Sequence, residues 1–206
     1  MKFILSLSRN TLMVFALLLV AGQAHAMKAP DVVVKETVDS MVSQLQKNRE
    51  LYTADNKALY AMLDKTLVPA LNVDRMADLI LGREVSKSAT TAQKKAFISE
   101  FKTFLLQSYA TGLLSATGDE KVIYEPVDLA PGADRVKIKA TLISASGSSY
   151  PIVLSMSNKG DTQWRAYNLE VVGINVIRTY KASFAATLQQ KGIDGLIADL
   201  KAKNKA

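Results

Sequence analysis

Arg135-Val136-Lys137-Ile138-Lys139-Ala140-Thr141-Leu142 alternates apolar and polar side chains. Successive side chains of a strand point to opposite faces, so Val136, Ile138, Ala140 and Leu142 form one side and Lys137, Lys139 and Thr141 the other. This is the pattern of a half-buried antiparallel strand. It decides the class of fold, because one face must be covered and the other can meet water.

Working outward, Gly147-Ser148-Ser149 is a turn into residues 150–157, where Ile152, Leu154 and Met156 share a face. Asn158-Lys159-Gly160-Asp161 is a hairpin signal, and residues 164–172 form the last strand. Upstream, residues 121–129 read as a first strand interrupted by Pro126, with Pro131-Gly132 as a turn. Four strands joined by short connections make a twisted antiparallel sheet.

The first half reads as helical. Val34, Val38, Met41, Val42 and Leu45 recur at helical spacing behind Pro30 and Asp31. Residues 48–50 break the pattern, and residues 56–67 give a second helix carrying Leu59, Met62, Leu63 and Leu67. Asn72 or Asp74 caps a short third helix with Met76, Leu79 and Ile80, stopped by Gly82. Thr90 and Gln93 form a capping box before a long helix with a stripe of Phe97, Phe101, Phe104, Leu105, Tyr109 and Leu113. Gly118-Asp119 is a turn. After Gly173 the helical period returns through Ile174, Ile177, Tyr180 and Phe184, and Gly192 sets off a terminal helix with a frayed Lys-rich tail. Helices flanking a sheet in sequence are its available cover, so the expected class is α+β, a twisted antiparallel sheet of about four strands under helices. Patterning alone does not separate a solid core from a cavity.

Composition narrows the chemistry. The 206 residues contain no cysteine and one histidine, His25. Residues 1–26 read as a secretory signal peptide, with Lys2 and Arg9, an apolar run over 12–21 and the small-residue site Ala24-His25-Ala26. Its removal leaves residues 27–206 as a single domain with neither imidazole nor thiol. Serine–histidine and cysteine catalysis, thiol redox chemistry and zinc sites of His or Cys are then excluded. The expected location is the bacterial periplasm. The full chain carries +7; without Lys2 and Arg9, 24 basic residues face 19 acidic ones, or +5. That excess suits an anionic surface or acidic partner. No nucleic-acid-recognition motif accompanies it.

Motifs for catalysis are missing. Asp119-Glu120 lies in a turn, Tyr167 and Glu170 point to opposite faces, and Ser148-Ser149 lacks the setting of a nucleophile elbow. No phosphate-cradling glycine loop or calcium loop occurs. The expectation is no enzyme, no catalytic residue, no metal and no cofactor.

Trp164-Arg165-Ala166-Tyr167-Asn168-Leu169-Glu170-Val171-Val172-Gly173-Ile174-Asn175, continuing to Tyr180-Lys181, resembles the W-x-x-Y-D … E-G-V-S … Y-R pattern of the toluene-tolerance / MlaC family. Residues 75–82, residues 91–113 and residues 192–197 are similar to it as well, in the same order. Asn168, Ile174, Asn175 and Lys181 depart from the usual Asp, Val, Ser and Arg. Lysine is a point charge and not a planar fork, which weakens head-group reading at that position.

The resemblance implies an NTF2-like cone with an apolar cavity, and phospholipid as cargo. It implies two partners: an outer-membrane lipoprotein–porin complex, and an inner-membrane ABC-transporter complex with its membrane-anchored lipid-binding domain. The expected function is a periplasmic phospholipid carrier that maintains outer-membrane lipid asymmetry. The lining expected is Val136, Ile138 and Leu142 on one strand, Ile152, Leu154 and Met156 on the next, Phe101, Leu105 and Tyr109 on the long helix, and Ile174 at the start of the following helix. Lys137 and Lys139 are assigned to solvent or a partner. The alternatives are a periplasmic chaperone or protein-binding module with an apolar groove, and an NTF2-like enzyme for a small apolar substrate.

Overall fold

A computed structural model describes residues 27–115 and 119–205. The leader expected over residues 1–26, with His25, and Gly118 of the expected turn lie outside them.

Helix α1 (Pro30–Lys47) opens with Pro30 in its first turn, where the missing N–H is no loss. Asn48 separates it from α2 (Arg49–Ala54), a short helix where the sequence pattern reads as a break. The Asp55 side chain accepts from the Lys57 N–H at 2.8 Å and caps α3 (Asn56–Thr66). A single 3₁₀ turn, Val68–Ala70, holds Pro69. Asn72 caps α4 (Val73–Ser88) by accepting from the Arg75 N–H at 2.9 Å. Gly82 breaks α4 with φ 76° and ψ 167°, yet the helix resumes beyond it to Ser88. Leu79, expected on the apolar face, is exposed. The capping box closes as expected: the Thr90 N–H donates to Gln93 Oε1 at 2.9 Å and the Gln93 N–H to Thr90 Oγ1 at 3.1 Å. Behind it runs α5 (Thr91–Ser115).

The sheet has five strands in the order β1-β2-β3-β4-β5, all antiparallel neighbours. They are β1 (Lys121–Tyr124), β2 (Arg135–Ile143), β3 (Ser149–Ser157), β4 (Arg165–Val171) and β5 (Ile174–Asn175). Strand β1 stops before Pro126, shorter than expected, because proline cannot donate to the ladder. The fifth strand is an addition to the expected four. It also corrects the place of Ile174, which starts no helix but pairs with Val171. The final helix α6 (Val176–Lys203) begins after Asn175, whose side chain accepts from the Arg178 N–H at 3.0 Å.

Gly192 divides α6 with φ 65° and ψ −169°. The end of α6 is not frayed. The Asn204 amide donates to Glu100 at its backbone O (2.9 Å) and Oε2 (2.8 Å), while the Gln107 amide donates to the Asn204 carbonyl at 3.1 Å.

Three apolar clusters hold these elements. The first joins α4, α5 and both halves of α6 through Ile80, Phe97, Phe101, Phe184, Leu196 and Leu200. The second packs Leu45, Tyr52, Leu59, Leu63 and Ala110. The third packs Val34 of α1 on Ile138, Met156, Trp164 and Ala166 of the sheet side. Leu71 touches both the first and the third. Beside it the Asn72 N–H donates to the Ala166 carbonyl at 2.8 Å, and the Arg75 guanidinium sits 4.2 Å above the Tyr167 ring. The β3–β4 register shifts between Ser155 and Met156, a bulge that leaves Tyr167 without a paired residue.

Candidate functional site

The strand register builds the site. Tyr124 pairs with Ala140, Ala140 with Ile152, Ile152 with Val171 and Val171 with Ile174, a single row across all five strands. The next row on the same face is Val122, Leu142 and Tyr150. On the other side of it lies Ile138, Leu154 and Leu169, then Val136, Met156 and Ala166. None of these side chains is charged. At about 4.8 Å between neighbouring strands, the five-strand row runs about 19 Å.

Cover is uneven along this face. Helix α1 closes the Ile138–Met156–Ala166 end through Val34 and Val38. Toward the other end Leu142, Ile152, Leu169 and Val171 are half-buried, and Ile174 is 66% exposed. Among the described residues, no side chain of α5 belongs to the sheet's cluster. The sheet therefore keeps an apolar strip that its own helices leave open.

The expected lining residues divide accordingly. Register brings Leu142, Ile152 and Ile174 together on the open part, while Val136 and Leu154, both half-buried, pack against the cluster under α1. Ile138 (0% exposed) and Met156 (1%) lie under α1 and present no surface in this structure. Phe101 (0%) is also core. Its ring stacks on Phe97 at 5.6 Å and meets Tyr180 and Phe184 edge-on. Leu105 packs half-buried against the same cluster. Tyr109 is 50% exposed and accepts a hydrogen bond from the Tyr180 hydroxyl at 3.3 Å. Leu169, Val171, Val122 and Tyr150 are apolar neighbours on this face that the sequence reading omitted. The alternation in residues 165–171 could have found Leu169 and Val171.

Lys137 and Lys139 point to the opposite face, as expected; Lys139 Nζ is 3.8 Å from Glu125 Oε2. Two phenols have raised pKa values. Burial pushes Tyr180 up, with the Tyr109 hydroxyl adding to it. Burial also raises Tyr124, with the charge of Asp39 second, and the Tyr124 hydroxyl is buried without a partner. Both are neutral at pH 7, so Tyr124, the one of the two on the sheet's row, adds no charge there. Among the described residues no group of three His, Cys, Asp or Glu could hold a metal ion. Two hollows between helices, of about 180 and 240 Å³, do not touch the sheet. Such a surface as the open strip can take up hydrocarbon.

The family model of the MlaC protein matches residues 35–202. The toluene tolerance protein ttg2D of Pseudomonas putida is 29% identical over 180 residues, 87% of this chain and 80% of that protein. The intermembrane phospholipid transport system binding protein MlaC of Haemophilus influenzae is 25% identical over 195 residues, 92% and 90% of the two chains. A phospholipid-binding protein from Ralstonia solanacearum, solved with a phospholipid, has a similar fold: TM-score 0.78 at 23% identity, over 86% of this chain and 98% of that one. The match to the family model spans most of the sequence, in the order of the segments that first suggested it, and the chain belongs to the MlaC family.

Proposed function

We propose that this chain is a periplasmic phospholipid carrier, exported by a leader over residues 1–26 and mature from residue 27 as one domain. Its cargo passes between an outer-membrane lipoprotein–porin complex and an inner-membrane ABC-transporter complex with a membrane-anchored lipid-binding domain. The process served is maintenance of outer-membrane lipid asymmetry. The observation that carries this reading is the uncharged five-strand row of a MlaC-family chain, whose Ile152–Val171–Ile174 end the helices leave open while α1 covers the Tyr124–Ala140 end.

Burial of the tails holds such a cargo firmly. Each buried CH₂ contributes about 0.8 kcal/mol, so two acyl chains of about fifteen carbons gain on the order of 20 kcal/mol before ordering and dehydration are subtracted. Spontaneous loss to water is then very slow, and release requires a partner that offers another apolar path. Among the described residues no helix is long and apolar enough to cross a membrane. Extraction of the purified chain with organic solvent, followed by mass spectrometry, tests the reading. Phospholipid in about equal molar amount is expected. A chain that is empty and takes up none from micelles overturns it.

A further inference from the structure

The turn between β4 and β5 is Val172-Gly173. Val172 has φ 50°, the one residue other than glycine with positive φ among the described residues, and it is 54% exposed. A β-branched side chain in that region is strained, and persists where something over-determines it. Its N–H donates to the Pro151 carbonyl at 2.9 Å, which fixes the turn beside the start of β3. Ile174 and Tyr150 are exposed next to it. Ile174 ends the five-strand row, so this tip continues the apolar strip to the outside.

Charge is arranged around the tip in layers. Residues 140–158 and 171–177 carry no charged side chain, in a chain whose charged fraction is 22%. Glu170, the acid nearest in sequence, lies on the opposite face of the sheet, paired with Val153 and Asn175. Arg178 stands three residues past the Asn175 cap, about 4.5 Å along the helix axis. It is exposed, and its guanidinium has no ion-pair or hydrogen-bond partner among the described residues. An apolar point, a tyrosine at its side and a free guanidinium one turn behind match the order of acyl chains, interface and phosphates in a bilayer leaflet.

We propose that the Val172–Ile174 tip inserts into the surface of a phospholipid bilayer, with Arg178 at phosphate depth. The proposal rests on the carrier reading and adds where the carrier touches a membrane: the strip that holds the tails then opens directly onto the leaflet. A protein surface is the competing occupant. The free cation and the strip leading inward favour lipid.

Flotation of the purified mature chain with vesicles tests it. One set is phosphatidylcholine alone and the other contains phosphatidylglycerol. The wild type is expected to float with both, more strongly with the second. Val172→Asn places a residue that tolerates positive φ at the turn, so its unfolding temperature should hold or rise while vesicle binding falls about tenfold, the loss of one inserted aliphatic side chain. Arg178→Gln should remove only the phosphatidylglycerol-dependent part. Flotation of Val172→Asn equal to wild type overturns the proposal. So does a lipid-loaded wild type that floats with neither vesicle, which would give the tip to a protein partner. Cargo is read separately by extraction, so the carrier reading and the tip fail independently.

Discussion

The Tyr180 hydroxyl donates to the Tyr109 hydroxyl across 3.3 Å, joining α6 to α5 at the surface. Beneath it the Tyr180 ring sits 5.4 Å from Phe101, 5.7 Å from Phe104 and 5.7 Å from Phe184. The ring contacts outweigh the hydroxyl contact, because the hydrogen bond is long and partly exposed. Tyr180→Phe should cost less than about 1 kcal/mol and Tyr180→Ala about 3 kcal/mol by urea unfolding. Equal effects would mean that the hydroxyl pair, not the aromatic packing, holds the two helices.

Ile152 sits at the middle of the five-strand row and is half-buried. A carboxylate there has no cation facing it on the sheet's inner rows. Ile152→Glu should leave a folded chain, judged by circular dichroism, and cut bound phospholipid at least about tenfold, roughly 1.4 kcal/mol. Unchanged cargo in the extract would move the tails away from this row.

Ile138, one pair of residues along the same face, tests the opposite assignment. It is fully buried under α1. Ile138→Ala should lower stability by about 3 kcal/mol while the phospholipid carried per folded molecule stays the same. A selective loss of cargo would return Ile138 to the lining.

Two glycines separate strain from space. A Cβ on Gly82 would meet nothing nearer than the Lys181 side chain at 3.8 Å, but its φ of 76° with ψ of 167° is a glycine conformation. Gly82→Ala should therefore cost about 1–3 kcal/mol. Gly112 lies inside α5, and a methyl group added there would have no neighbour within 4 Å, so Gly112→Ala should gain about 0.5–1 kcal/mol. Thermal unfolding of both reads the contrast.

The sheet was legible because period-two alternation fixes which face each residue takes, and short turns fix the register of β2 against β3. The capping box at Thr90 and Gln93 was legible for the same local reason. Helix α2 and strand β5 were not, since six and two residues hold too little of any period to read. The candidate surface was legible only in part. Phe101, Leu105 and Tyr109 lie on one stripe, but a stripe does not say which layer covers it: Phe101 is sealed by α6, while Tyr109 faces outward. Ile138 and Ile152 share a face and differ because α1 reaches one and not the other.

The break at Gly192 has a consequence for the order of assembly. Ile193, Leu196 and Leu200 complete the cluster around Phe97 and Phe101, yet they emerge after every other element has been synthesised. Until they arrive, the aromatic faces of α5 lack their last partner, so the cluster stays unsealed until residues 193–200 have been made. Stopping the chain at Lys191 should leave a species that binds a hydrophobic dye.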